Sequence, residues 1–197
     1  MALPWFGDDI HAAVISGTGG YINQTIVVRD DIIDFAALLA NLGDFEADEE
    51  VRTLHPLLGL VQTVAEPTEP LNYAPFFYRK TADSTRPPTA SLLVTSGIED
   101  QQTDFRTSIA LAAAAGLPSL GPRATEMPAL DLRGFPDSSP DLEGNVSNAD
   151  GTLLTGGFLQ RDSFGHFLVF QDPATRAIYS TFLAEAFEGP APLSTQP

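Results

Sequence analysis

The chain contains no cysteine and only one lysine, and both shortages exclude whole classes of protein. Without cysteine it can form no disulfide, no thiolate metal site and no cysteine nucleophile. Lysine and arginine together number 10 against 26 aspartate and glutamate residues, so the formal net charge is −16. Such a chain repels phosphate backbones and anionic membrane surfaces, and we therefore expect no nucleic-acid partner. The plain interpretation of the acidity is solubility.

Long apolar runs are also missing, as are the features of an export signal. No stretch of about eighteen apolar residues occurs, so we predict no membrane span. The first residues, Met1 to Asp9, lack both the basic and the apolar region of a signal peptide. Hydrophobic residues nevertheless make up 43% of the 197 residues, which is enough for a packed core.

Three segments have the composition of buried strands. Residues 11–16 form a short apolar run that ends in glycines, which predicts a strand buried on both faces. Residues 90–96 form the clearest strand, between Pro87-Pro88 and Gly97. Residues 152–160 form the third, with Gly156-Gly157 as a bulge or a close approach.

Helices are predicted after the second and third of these strands. The first runs from about Asp104 to Ala115 and ends at Gly116. The second starts at Asp172-Pro173 and ends at Gly189-Pro190, with a frayed tail from Pro190 onwards. Its predicted inward face consists of Ile178, Phe182, Ala186 and Phe187. This order of strand, loop and helix predicts an α/β fold with about three mostly parallel strands.

Two other regions interrupt the pattern. Residues 21–88 have helical spacing at 30–42 and a helix start at His55-Pro56, with an acidic solvated loop at 44–50 between them. An aromatic cluster follows, as either the core of a helical cap or an apolar acyl pocket: Tyr73, Phe76, Phe77 and Tyr78. Residues 117–150 are rich in Pro, Gly, Asp and Ser and predict a long insertion.

His166 is the histidine best placed for chemistry among the three in the chain. It lies in a loop between a predicted strand and the last helix, and Gly165 leaves room for another backbone or a substrate beside it. Loops at the carboxyl ends of parallel strands are where such sheets bind ligands. An ordinary loop histidine is the competing interpretation.

Glu99 and Asp100 follow the clearest strand directly. A carboxylate at that position can accept a hydrogen bond from a histidine nitrogen, which sets the tautomer and stabilises the imidazolium. A turn residue or a helix cap is the competing interpretation, because acids are common in such loops.

Acid first and histidine second is the order of the catalytic triad that α/β-hydrolases place after their serine. Residues 92–103, LLVTSGIEDQQT, resemble the strand and acid loop of that family, where the acid is the fourth residue of a Gly-x-x-Asp turn. Residues 164–170, FGHFLVF, resemble its histidine loop. The resemblance implies Asp100 as the triad acid, with Glu99 as the alternative, and His166 as the base.

The resemblance extends over essentially the whole chain. Residues 12–20, AAVISGTGG, are similar to the strand that follows the nucleophile helix of the family. Residues 21–88 fall where many lipases and esterases insert a cap, and a group of bacterial lipase-like hydrolases is similar in cap length and in a second insertion before the histidine strand. The implied organisation is a core start at 1–20, a helical cap at 21–88 and the C-terminal core at 89–197, with the insertion at about 117–150.

The nucleophile of such an enzyme has no counterpart here. No Gly-x-Ser-x-Gly occurs, and the resemblance places that motif one strand and one helix before Ala12, which only eleven residues precede. Both usual oxyanion donors would also lie upstream. We therefore expect a C-terminal portion that lacks the nucleophile half: a fragment, a truncated reading frame or one half of a split enzyme.

Other sites find little support in the residues. Ser16, Ser96 and Ser163 lie near the predicted strand ends or the histidine, but no neighbouring feature activates them. Asn148 to Gly151 lacks the flanking acids of a calcium loop, and three scattered histidines without cysteine disfavour zinc. The family resemblance implies no cofactor.

The sequence thus predicts the acid-and-histidine portion of an ester hydrolase of lipase or esterase type. Its partners would be a small-molecule or lipid ester and the missing N-terminal half, and the resemblance implies a secreted or periplasmic enzyme whose export signal lies in that half. Three alternatives stay open. The chain is an inactive truncated product with an open sheet edge, or an acidic binding module on the same fold, which a wide separation of Asp100 and His166 would favour. The third is another reaction on the same fold, such as peptide or thioester cleavage.

Overall fold

The part of the chain that the structure describes contains both strands and helices. The structure is a computed structural model, and it describes Trp5 and residues 9–29, 33–46, 51–81, 85, 87 and 89–196. Its strands are β1 (Ala12–Ser16), β2 (Ser91–Gly97), β3 (Ser119–Pro122), β4 (Ser138–Ser139), β5 (Asp141–Leu142), β6 (Val146–Ser147), β7 (Leu153–Leu154), β8 (Gly156–Arg161) and β9 (Leu193–Ser194). Its helices are α1 (Ile22–Val28), α2 (Phe35–Leu42), α3 (Pro56–Ala65), α4 (Pro70–Tyr73), α5 (Phe105–Ala115), α6 (Pro128–Asp131), α7 (Leu168–Gln171) and α8 (Pro173–Glu185), with 3-10 turns at Glu66–Thr68 and Ala74–Phe77.

A five-stranded sheet forms the centre of the fold, in the order β1-β2-β8-β3-β4. The first four strands are parallel and β4 runs antiparallel to β3. The predicted mixed α/β class with a mostly parallel sheet is confirmed. The expected number of about three strands is too low, because the 117–150 connection contributes β3 and β4. Strands of two to four residues are too short to produce a recognisable alternation.

The first strand differs from its prediction in burial. All five residues of β1 are only partly buried, whereas every residue of β2 is buried. The reason is position, because β1 lies at the edge of the sheet and β2 lies between two neighbours. A continuous apolar run predicts a strand, but it does not distinguish the edge from the centre.

Two apolar layers cover the sheet. On one face Leu92, Val94 and Phe158 pack with the apolar side of α5, and on the other Leu93 and Leu159 pack with α8. The two faces alternate along each strand, as the two-residue period of a strand requires. Helices on both faces explain why every residue of β2 and all but the last residue of β8 are buried.

Both predicted ends of α5 and the predicted start of α8 agree with the structure, whereas α8 ends at Glu185 and not at Gly189-Pro190. Asp104 caps α5 by accepting a hydrogen bond from the Arg106 backbone N–H, and Gly116 ends the helix with φ +84°. Asp172 caps α8, and burial opposes its charge, but hydrogen bonds from the Thr175 side chain and backbone lower its pKa. No helix among the described residues is long and apolar enough to cross a membrane.

Helices also form in the region predicted as a cap. His55 caps α3 at Leu57 N, and Asp34 caps α2 at Ala37 N. Four other parts of the predicted organisation lie outside the described residues: Met1–Pro4 and Phe6–Asp8 of the core start, Asp30–Ile32 of the first cap helix, Ala47–Glu50 of the acidic loop, and Pro88 at the domain boundary.

The aromatic cluster divides between core and surface. Phe77 and Tyr78 are buried against α5, and the Tyr78 hydroxyl donates to the carbonyls of Ala90 and Thr155. Burial raises the pKa of Tyr78 above its ordinary range. Tyr73 and Phe76 are partly buried and contact the Trp5 ring.

Two predictions for the C-terminus are wrong. The tail after Pro190 is not frayed, because β9 pairs with β5 and Ala191 and Leu193 are fully buried. Phe187 does not face inward and is 77% exposed, since α8 ends at Glu185 and the helical period does not continue to it. The other predicted inward residues, Ile178, Phe182 and Ala186, are buried.

Candidate functional site

The carboxylate of Asp100 is buried in the loop that follows β2. Its side chain is 1% exposed. One oxygen, Oδ1, accepts hydrogen bonds from the backbone N–H groups of Gln102 and Thr103, at 2.9 and 2.8 Å. These bonds hold the carboxylate in one orientation and leave Oδ2 directed elsewhere.

His166 lies where Oδ2 points. Its Nδ1 is 3.1 Å from Asp100 Oδ2, and its side chain is 28% exposed. With the Nδ1 hydrogen assigned to this bond, Nε2 has a free lone pair and is able to accept a proton. Among the described residues, no side chain hydrogen bonds to Nε2.

Backbone contacts hold the acid loop and the histidine loop together. The Glu99 N–H donates to the Phe164 carbonyl at 2.9 Å, and the Ile98 N–H donates to the Arg161 carbonyl at 3.0 Å. A β-carbon at Gly97 would be 2.1 Å from the Phe164 carbonyl oxygen, so only glycine fits there. The Asp100–His166 distance therefore depends on two loops that are rigidly paired by their backbones.

The loop after β1 also lies against the imidazole of His166. Gly17 has φ +57°, and a β-carbon on it would lie 2.8 Å from the Nδ1 and Cε1 atoms of His166. At the far end of this loop, the backbone N–H groups of Tyr21 and Ile22 donate hydrogen bonds to the side chain of Glu69, which precedes α4. Burial opposes the Glu69 charge, but the hydrogen bonds from Gln62 and these backbone groups outweigh it and lower the pKa of Glu69.

The structure brings together both predicted site residues, Asp100 and His166, and separates the alternative. The Glu99 side chain is exposed and makes no hydrogen bond to His166 within the described part of the chain. The catalytic roles of Asp100 and His166 stay predictions. Sequence reasoning missed Gly17 and Glu69, and the only signal for Gly17 was its place in a glycine-rich strand end.

The candidate serines are placed differently from one another. Ser16 lines the same groove as His166, and its buried Oγ has no hydrogen-bond partner among the described residues. Ser96 is buried inside the sheet, with a long bond to the Gly97 carbonyl at 3.5 Å. Ser163 is exposed, with φ +60°. None of the three hydrogen bonds to His166.

Open space adjoins the pair on two sides. An apolar groove of about 360 Å³ lies between β1, α7 and α8, with His166, Val14 and Tyr179 in its walls. An acidic cleft of about 700 Å³ lies beside the acid loop, where Val28 at the end of α1 faces Asp100 and Asp104. The cap-region helix α1 therefore lies next to the predicted site.

Neither a metal-binding group nor a known relative identifies the function of this site. Within the described ranges, no group of three or more histidine, aspartate or glutamate residues is arranged to hold a metal ion. Comparison with protein-family models, with curated proteins and with solved structures finds no match to this chain. Chemically, a buried carboxylate that orients an imidazole with a free Nε2 suits general-base catalysis.

Proposed function

We propose that this chain is the acid- and histidine-bearing portion of a serine hydrolase of the α/β-hydrolase type that cleaves carboxylic esters. The observation behind the proposal is the 3.1 Å contact between His166 Nδ1 and Asp100 Oδ2, with the carboxylate buried and Nε2 unpaired among the described residues. In this arrangement one nitrogen is oriented by the acid and the other is available to the substrate side.

The proposed reaction has two steps that use the same imidazole. His166 Nε2 takes the proton of a serine hydroxyl as the serine oxygen attacks the ester carbonyl, and the imidazolium then protonates the departing alcohol. A water molecule attacks the acyl-serine in the second step and gives its proton to Nε2, and the imidazolium then returns that proton to the serine oxygen as the carboxylic acid is released. The Asp100 carboxylate accepts the Nδ1 hydrogen and stabilises the imidazolium in both steps.

The proposal places the nucleophilic serine in a segment outside these 197 residues. No serine hydrogen bonds to His166 in the described part of the chain, and the Ser16 Oγ is buried below the surface of the groove. Elsewhere the chain has no Gly-x-Ser-x-Gly. The partner would then be the segment that holds that motif.

The cap is part of the same proposal. Helices α1 to α3 lie between β1 and β2 in the chain, and α1 borders the cleft beside Asp100. The Gln24 side chain also donates to Asp104 Oδ2, at 3.4 Å. These contacts support a cap that shapes the acyl pocket, whereas Ala74–Phe77 packs against α5 as part of the core.

Activated esters provide a test on the chain as it exists. A neutral imidazole attacks p-nitrophenyl acetate without a serine. The rate of p-nitrophenolate release therefore compares the reactivity of His166 with that of the other two histidines. We expect His166→Ala to abolish most of the release of p-nitrophenolate above buffer. The matched control His11→Ala should lower the rate far less than His166→Ala, because His11 is an exposed imidazole at the opposite end of β1 from the loop that contacts His166 and has only the reactivity of an ordinary surface histidine.

Two outcomes would count against the proposal. Equal rates for the wild type and His166→Ala would show that His166 is not a reactive base. Loss of activity in Ser16→Ala would show that a serine of this chain is the nucleophile, contrary to the placement proposed above.

An acidic binding module on the same fold is the alternative from a different class. It has no need to bury a carboxylate against a histidine, and the short Asp100–His166 distance favours the catalytic pair over it. An inactive truncated product would have the same Asp100–His166 distance as a functional portion of a hydrolase. Addition of the serine-bearing segment distinguishes these two, since only the functional portion would then hydrolyse unactivated esters.

A further inference from the structure

An ion pair joins the two ends of the segment that contains His166. This segment, residues 162–171, connects Arg161 at the end of β8 with Asp172, the N-cap of α8. The Arg161 Nε–H donates to Asp172 Oδ2 at 3.1 Å, and Nε is also 3.3 Å from the hydroxyl oxygen of Thr175. The pair therefore closes a loop around the histidine.

This ion pair is shielded from solvent. The side chains of Arg161 and Asp172 are 24% and 12% exposed, and Thr175 is fully buried. The Thr175 hydroxyl donates to the same Asp172 oxygen at 2.6 Å, so the three side chains form one network. Because partly buried charges are screened less than surface charges, the contact holds its two ends more firmly than an exposed pair would.

Helix capping alone does not account for the arginine. Asp172 already caps α8 by accepting hydrogen bonds from the backbone N–H groups of Ala174 and Thr175, both at 3.1 Å. A cap of this kind is complete without a cation. The bond from Arg161 adds a different constraint, because it attaches the start of α8 to the end of β8.

The end of β8 is in turn attached to the acid loop. Arg161 pairs with Gly97 in the sheet, and its carbonyl accepts a hydrogen bond from the Ile98 N–H at 3.0 Å. Three residues further on, the Phe164 carbonyl accepts from the Glu99 N–H at 2.9 Å. The first half of the segment is therefore held beside the acid loop.

The second half of the segment is held through α7 and α8. The Asp172 N–H donates to the carbonyl of Leu168, whose side chain is buried. The Arg176 guanidinium donates to the Phe170 carbonyl. His166 lies between the two anchored halves, two residues before α7. A shift of α8 away from β8 would consequently move the imidazole.

We propose that Arg161 and Asp172 are positioning residues for His166, and that their ion pair keeps the imidazole Nδ1 directed at Asp100 Oδ2. The proposal rests on the proposed function, because it assigns the residues that prepare the base of that site without touching the substrate. The imidazole is partly exposed and has room to turn. A hydrogen bond of 3.1 Å is lost after a small movement of either loop, so the closed segment matters for the contact.

Substitution of the arginine tests the proposal without removing the helix cap. Arg161→Met keeps an unbranched side chain and loses the charge and the donors, while Asp172 keeps its two backbone donors. We expect neutral His166 to shift from the Nδ1–H tautomer towards Nε2–H, because its contact with Asp100 is weakened. Nitrogen-15 NMR of the imidazole measures this shift.

Hydrogen exchange provides a second readout. The Glu99 amide donates to the Phe164 carbonyl, so it reports on the attachment of the segment to the acid loop. We expect its exchange to become about tenfold faster in Arg161→Met. The Leu92 amide donates to the Thr155 carbonyl inside the sheet, and its exchange should accelerate much less.

Two further variants are the controls. Arg161→Lys keeps a cation and a donor for Asp172, so it should restore most of the wild-type tautomer. Arg106→Met removes an arginine that also lies near an N-cap aspartate, 3.6 Å from Asp104, but this arginine is 63% exposed and its pair does not span the His166 segment. It should change neither readout. If Arg161→Met does not fold, Arg161→Gln replaces it, with the same losses expected.

Three results would overturn the inference: a wild-type tautomer in the folded Arg161→Met protein, equal acceleration of the Glu99 and Leu92 amides, or the same changes in Arg106→Met. The second would assign the ion pair to general stability. None of these readouts requires ester hydrolysis. A tautomer shift in Arg161→Met beside a wild type that releases no p-nitrophenolate would therefore support the positioning role and contradict the proposed function alone.

Discussion

Gly17 lies against the imidazole of His166, so closely that a β-carbon at position 17 would be 2.8 Å from Nδ1 and Cε1. We predict that Gly17→Ala destabilises the protein by about 1–2 kcal/mol from its positive φ alone. It should also displace the histidine ring. The free energy of unfolding in urea and the NMR signals of His166 provide the measurements.

Gly59 is the matched control for that substitution. It lies in α3 with no atom near its missing β-carbon, so Gly59→Ala should stabilise the protein by about 0.5–1 kcal/mol. Equal effects of the two substitutions would show that the Gly17 contact is not important in solution.

The two neighbouring acids of the loop after β2 should differ in their effect on the imidazole. Asp100→Asn replaces the acceptor of the Nδ1 hydrogen with an amide, so we expect a change of tautomer and a fall of about tenfold or more in His166-dependent ester hydrolysis. Glu99→Gln should change neither, because its side chain is exposed. Nitrogen-15 NMR of the imidazole detects the tautomer. A wild-type tautomer in Asp100→Asn, or an altered one in Glu99→Gln, would contradict the assignment.

Glu69 should make stability depend on pH. The folded pKa of Glu69 lies below its ordinary value of 4.5, so its contribution is present above that pH and disappears as the pH falls through the folded pKa. At neutral pH, Glu69→Gln should cost about 2 kcal/mol, since it removes a charged acceptor of several hydrogen bonds. Urea titrations across the acidic range measure the difference, which should shrink at low pH.

Glu66→Gln is the control for the pH experiment. Hydrogen bonds from the Asn72 and Gln62 side chains lower the pKa of Glu66. These bonds lie in solvent, where water can replace them, so they contribute little to stability. We expect no measurable change in the unfolding midpoint. A difference between wild type and Glu69→Gln that is independent of pH would mean that the charge of Glu69 does not matter.

Gln160 should be replaceable by an apolar residue. Neither atom of its buried carboxamide has a hydrogen-bond partner in the described part of the chain. Gln160→Met has similar shape, and we expect the free energy of unfolding to rise by about 1 kcal/mol. Gln62→Met should have the opposite sign, because that carboxamide bonds to Glu66 and Glu69. A loss in Gln160→Met would show that the amide is hydrogen bonded in solution.

Two phenylalanines near the end of α8 test the packing of that helix. Phe182 is fully buried against Leu93 and Leu159, so Phe182→Ala should cost about 3–5 kcal/mol. Phe187 is mostly exposed, and Phe187→Ala should change stability by less than about 0.5 kcal/mol. Thermal unfolding of both variants checks the prediction, and comparable losses would refute the observed end of the helix.

Sequence reasoning was accurate where the signal is local. Residues 104–116 contain a cap, an apolar stripe and a terminal glycine within a few turns, and the structure confirms that helix. It failed for Phe187. The apolar spacing of the helix extends to this residue, but α8 ends at Glu185 and Phe187 is exposed. Short strands such as β3 and β9 form only because distant segments pair with them, and their own residues contain no comparable signal.

The sequence by itself determined the α/β class, the N-caps of α5 and α8, and the order of an acid and a histidine that each follow a core strand. The tertiary structure alone decided that β8 lies directly beside β2, which brings residues 100 and 166 within 3.1 Å of each other. It also placed β1 at the edge of the sheet that the described residues form. The physical reason is that helix caps and apolar periods act over a few residues, whereas strand order depends on contacts between segments far apart in the chain.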